Sequence, residues 1–106
     1  PFVEFDCAPI PTEGKIDLIV KVYTEKAVLE FKTAGPNGDS PDGLAAALAA
    51  SFKDAGATAE VVEKTRVRVY GAKIDGTFYP ATKGTVTSES LKADQLPKVK
   101  NPEKKG

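Results

Sequence analysis

Hydrophobic and polar residues alternate through residues 15–24, KIDLIVKVYT. Ile16, Leu18, Val20 and Val22 fall on one face, and Asp17, Ile19, Lys21 and Tyr23 on the other. A period of two is the mark of a strand with one buried face. After Glu25-Lys26 the alternation resumes in AVLEFKT, with Ala27, Leu29 and Phe31 inward and Val28, Glu30 and Lys32 outward. The two runs predict a β-hairpin, although Glu-Lys lacks the Gly or Asn of the tightest turns. Their β-branched residues argue against a helix.

The pattern breaks at AGPNGDSPDG, a loop by composition. Its end is also a helix start: Ser40 is placed to cap, Pro41 suits the first helical position, and Asp42 complements the helix dipole. LAAALAASFKDAG then predicts a helix over 41–55, with Leu44, Leu48, Ser51, Phe52 and Ala55 along one stripe and Gly56 as its terminator. Beyond it, TAEVVEK and RVRVYG read as strands, with Val67 and Val69 facing the core and Arg66, Arg68 and Tyr70 facing out. AKIDGTFYPATKGTVTS adds one or two more strands around the turn dipeptide Asp75-Gly76. From Ser88 onward apolar content collapses; SESLKADQL predicts a helical turn or two, and the rest an extended tail.

This order predicts an α+β fold, a single antiparallel or mixed sheet with the helix on one face. The chain divides into an N-terminal arm (1–14), a core (15–88) and a polar C-terminal tail (89–106). A β-grasp-like arrangement and a small α+β sandwich both fit. At 106 residues the chain is one domain, long enough to bury a core without metal or disulfide support.

Charge and composition narrow the function. Fifteen Lys+Arg balance fifteen Asp+Glu, so no net field draws the chain to nucleic acid or an anionic membrane. The basic cluster KVKNPEKKG is diluted by Glu103 and reads as a solvated tail. There is no histidine, the commonest acid–base group and metal ligand. The single cysteine, Cys7, cannot form an internal disulfide or a cysteine-based zinc site. No basic-then-apolar leader is present, and no apolar run is long enough to span a membrane. A leading proline without Met is what initiator removal leaves in a cytoplasmic product, and a fragment looks the same.

Each local constellation reads more simply as structure than as a site. GPNGDSPDG lacks the Lys and hydroxyl of a phosphate loop, and Asp39 and Asp42 would repel an anion. As a calcium loop it has Pro41 at the third ligand position and Leu48 where a Glu belongs. Asp17 and Glu30, near Lys21 and Lys32, read as exposed cross-strand charge pairing. Glu60 and Glu63 point to opposite sides of a strand. Ser88 and Ser90 have no histidine to activate them, and TKGT at 82–85 has the wrong spacing for phosphate. The expectation is no catalytic residue, no metal and no cofactor.

The opening PFVEFDCAPIP remains. Val3, Phe5 and Cys7 lie on one side of an extended strand, Glu4 and Asp6 on the other, and Pro9 and Pro11 prevent a helix. Such an arm can add to its own sheet or to the edge of a neighbour's. On the second reading Phe2, Val3, Phe5, Cys7 and Ile10 form an interface, and Cys7 is placed for an intersubunit disulfide.

Two resemblances bear on function. PFVEFD resembles the start of the tautomerase superfamily, which implies Pro1 as a catalytic base. The resemblance covers Pro1–Asp6 and ends there, because that family follows its first strand with a long helix, where this chain is strand-patterned. SPDGLAAALAASFKDAGATAEVVEKTRVRVYG, with the hairpin before it, resembles small α+β modules of tailed-bacteriophage tail, neck and capsid proteins, and modules of bacterial adhesins. That likeness spans roughly 16–72 and implies a virion subunit. The reading is therefore a non-enzymatic structural subunit, a homo-oligomer within a larger virion assembly. Its partners would be other protein subunits, with neither nucleic acid nor membrane, and arm and tail (92–106) would reach neighbours. The alternatives are a small cytoplasmic adapter or inhibitor binding one protein partner and, third, a Pro1-dependent tautomerase.

Overall fold

Strand β1 (Val3–Asp6) opens the fold. It is followed by β2 (Ile19–Thr24), β3 (Val28–Lys32), helix α1 (Pro41–Asp54), β4 (Ala57–Val62), β5 (Arg66–Ile74), β6 (Thr77–Thr87), a 3-10 turn at Ala93–Gln95 and β7 (Lys98–Lys100). The computed structural model describes residues 1–14, 16–33 and 40–103. The seven strands form one antiparallel sheet in the order β3-β2-β6-β5-β1-β7, with β4 also paired to β5. Helix α1 packs against β3, β4 and β5, giving the α+β architecture expected.

The alternation in 15–24 is realised in the core: Ile16, Leu18, Val20 and Val22 are buried, although the ladder itself begins only at Ile19. Across the first hairpin Leu29 and Phe31 are half-buried against the core, while Val28, Glu30 and Lys32 are exposed. Thr24 supplies what Glu25-Lys26 lacks. Its Oγ1 accepts from the N–H of Lys26 (3.2 Å) and of Ala27 (2.9 Å) and donates to the Ala27 carbonyl (2.9 Å). A side-chain turn thus replaces glycine chemistry. Thr24→Val is expected to lower stability by about 1–2 kcal/mol in urea denaturation, and Thr24→Ser much less, because only the valine leaves those amides without the hydroxyl.

Helix α1 begins as predicted. Ser40 Oγ accepts from the Gly43 N–H at 3.1 Å, and Pro41 occupies the first turn. Its buried face is Leu44, Ala45, Leu48, Ala49 and Phe52; Ser51 is only half-buried and Ala55 is exposed, so small alanines replace them and let the helix lie close. The Gly-Pro-Asn part of the preceding loop lies outside the described residues.

The sheet turns a corner between β5 and β6. Asp75 and Gly76 take φ of 51° and 82°, the mirror-image turn that favours a tight hairpin. At Gly71, paired with Pro80, an added Cβ would run into the Tyr79 carbonyl and the Phe78 ring. Register shifts leave Tyr70 of β5 and Thr82 of β6 unpaired on either side of this point. Extra residues of this kind bend and twist a strand. Past the corner β6 leaves β5, pairs with β2 and passes over β1, where Gly84 lies on Val3 and Phe5. TKGT is therefore part of a strand with a buried glycine.

The largest correction concerns the two ends. β1 is held between β5 and β7, with Val3 opposite Val69 and Phe5 opposite both Val67 and Val99. Val3, Phe5 and Cys7 are fully buried and Ile10 nearly so, which makes this segment interior structure and not a projecting arm. The tail is corrected in the same way, since Lys98–Lys100 is the strand beside β1, while the helical turn expected in SESLKADQL is the 3-10 turn at Ala93–Gln95. The alternation that would suit a neighbour's sheet suits this one equally. A strand tethered to its own sheet finds it at a far higher effective concentration.

Candidate association surface

Among the described residues three strands end the sheet with one side unpaired: β3, β4 and β7. Such edges present free backbone donors and acceptors to any extended chain. They differ in charge. β7 carries Lys98 and Lys100, β4 carries Glu60, and β3 carries both Glu30 and Lys32. Val28 on β3 is 50% exposed, and Val61 on β4 is also exposed.

The outward face of β7-β1-β5-β4 is a charge ladder fixed by register. Lys100 lies opposite Glu4, Glu4 opposite Arg68, and Arg68 opposite Glu60. Arg68 Nε donates to Glu4 Oε1 at 3.0 Å and its guanidinium lies 4.5 Å from the centre of the Phe2 ring. Phe2 in turn meets Tyr70 edge-to-face, and the Tyr70 hydroxyl donates to Glu60. One row down, Arg66 pairs with Asp6 and Glu63. Of the interface residues read from the sequence, only Phe2 is on this surface. Val3, Phe5, Cys7 and Ile10 are in the core. Burial, reinforced by the Asp6 charge, pushes the Cys7 thiol up to about 12, so it stays protonated and sealed from a partner's thiol in this fold.

Asp17 does not pair across the first hairpin; Lys21 stands opposite Glu30 there. Its carboxylate instead accepts from the hydroxyls of Ser90 and Ser88 and from the amides of Glu89 (3.0 Å) and Ser90 (3.2 Å). These bonds hold its carboxyl well below the usual carboxylate range, with Ser90 and Ser88 contributing most. Ser88 Oγ also accepts from the Leu91 N–H at 3.0 Å. The serines thus clamp the end of β6 to the start of β2 beside a recess of about 310 Å3. Local spacing could not reveal this clamp, because its members are more than seventy residues apart.

Asp17→Asn is expected to lower the urea midpoint at neutral pH. Because the folded carboxyl lies below its ordinary value of 3.8, the stabilisation is full above that pH and fades as pH falls through the folded value. The gap between wild type and variant should therefore close in acid, measured as urea midpoints from pH 7 downward.

Pro1 is exposed and, with Phe2, Lys100, Asn101, Pro102 and Glu103, lines an open groove of about 600 Å3. A second groove, beside Tyr23, Thr24, Thr82 and Lys83, shares Asn101 and Pro102 with it. Among the described residues no group of three or more His, Cys, Asp or Glu could hold a metal ion, and no helix is long and apolar enough to cross a membrane. Comparison with protein-family models, with curated proteins and with solved structures finds no match.

Proposed function

We propose that the protein is a non-enzymatic structural subunit that assembles through the free edges of its sheet. The observation that carries this reading is the edge of β3, uncovered among the described residues, where an exposed Val28 stands next to main-chain groups that no described strand pairs. An open edge of this kind is a template for strand addition. With Val3, Phe5, Cys7 and Ile10 committed to the core, the edges take over the role first given to the arm. The placement in a tailed-phage virion rests on the likeness of residues 16–72 to small virion modules. Light scattering coupled to size-exclusion chromatography tests assembly: masses above the 11.2 kDa monomer that rise with concentration support it. A constant monomer mass at the highest attainable concentration ends it.

The adapter reading is favoured by the two grooves joined at Asn101 and Pro102, which together could seat a peptide of a protein partner. A monomer that captures one partner, and loses it when Phe2 and Tyr23 are both changed to alanine, would establish that reading instead.

A further inference from the structure

We propose that two copies of this chain associate by antiparallel pairing of β3 with β3, across a two-fold axis at Phe31. The inference rests on the assembly reading above and names its partner and register. The direction of the backbone groups comes first. Thr33 N–H donates to the Leu18 carbonyl, and Thr24 N–H to the Ala27 carbonyl, so Ala27 and Thr33 face β2. Backbone direction alternates along a strand, which turns Leu29 and Phe31 toward β2 as well. The N–H and C=O groups of Val28, Glu30 and Lys32 therefore point away, to the open edge.

Charge then selects the register. Around a two-fold axis residues that share a face must oppose each other, so Val28, Glu30 and Lys32 can meet only residues of the exposed face. An axis at Glu30 sets two carboxylates face to face. An axis at Leu29 sets Glu30 against Val28 and leaves Lys32 without a carboxylate opposite. An axis at Phe31 places each Glu30 opposite the second copy's Lys32, in a pair that also exchanges both main-chain hydrogen bonds. Within one chain Glu30 and Lys32 already lie 4.0 Å apart on this face, so the two copies build a four-charge cluster of alternating sign.

The opposite face agrees. Phe31 is half-buried against the core cluster, and at the axis it meets its own mate in a non-hydrogen-bonded pair, where side chains come closest. The other edges lack this self-complementarity: β7 offers two lysines and β4 a single glutamate among its charged residues. A two-fold interface needs one patch that matches itself.

The test uses the full chain with Glu30→Lys and Lys32→Glu, both at exposed positions, followed by sedimentation velocity over a concentration series. Each single variant replaces the attractive pairs with like charges and should weaken association at least about tenfold. Mixing the two variants in equal amounts should restore it, because each supplies the charges the other lacks. The double variant Glu30→Lys/Lys32→Glu should also associate. Circular dichroism of each variant should match wild type. Single variants that associate as wild type does, or a mixture that stays monomeric, overturn the β3 interface while leaving assembly through another edge standing. Wild type that remains monomeric throughout overturns both.

Discussion

Replacing Phe5 with alanine is expected to lower folding stability by about 3–5 kcal/mol. The side chain is fully buried, stacks on Phe52 of α1 with ring centres 6.3 Å apart, and lies opposite Val67 and Val99 in register. Its removal therefore opens a void shared by the helix and by strands on both sides. A loss of that size is a large part of the roughly 5–15 kcal/mol that holds a domain folded. Urea denaturation measures it directly at protein concentrations low enough to keep the chain monomeric. A detachable arm behaves in the opposite way: Phe5→Ala would then leave the monomer's midpoint unchanged and weaken only its association. A shift below about 1 kcal/mol would show that β1 is not part of this core.

The same residue shows where sequence reading succeeds and where it stops. Alternation assigned Val3, Phe5 and Cys7 to one face correctly, since period-two patterning is a local property of a strand. Nothing in that pattern says whose sheet receives the strand. Intramolecular and intermolecular pairing use the same residues, and only the distant partners Val69, Val67 and Val99 decide. Helix α1 was legible to within a residue at its end, because Ser40, Pro41 and Gly56 act locally. β7 was not legible. KVK is too short and too charged to signal burial, and it becomes a strand only because β1 offers it an edge. The Asp17 clamp was hidden for the same reason, its serines lying at the far end of β6. Glu30 and Lys32 were placed outward correctly, yet the proposed pairing with a second copy needs the direction of their backbone groups.

Gly84→Ala carries the second large effect, and its sign separates two kinds of reasoning. Gly84 has no left-handed backbone angle, so propensity alone predicts that alanine should stabilise a strand position by reducing the freedom of the unfolded chain. The packing predicts the reverse. A Cβ here would collide with the Val3 side chain and come within 2.7 Å of the Phe5 ring, both fully buried and unable to swing toward solvent. The Gly84 N–H also donates to Asn101 Oδ1 at 2.9 Å, so moving β6 outward would strain that link to the residue just past β7. Overpacking of this kind costs about 1–3 kcal/mol. Truncating Val3 makes room, so Gly84→Ala should cost clearly less in a Val3→Ala background, with a coupling of about 1 kcal/mol in the double-mutant cycle. A stabilising Gly84→Ala, or strict additivity with Val3→Ala, would mean that β6 does not cross β1 where Gly84 lies. The fold of the sheet onto itself depends on that crossing.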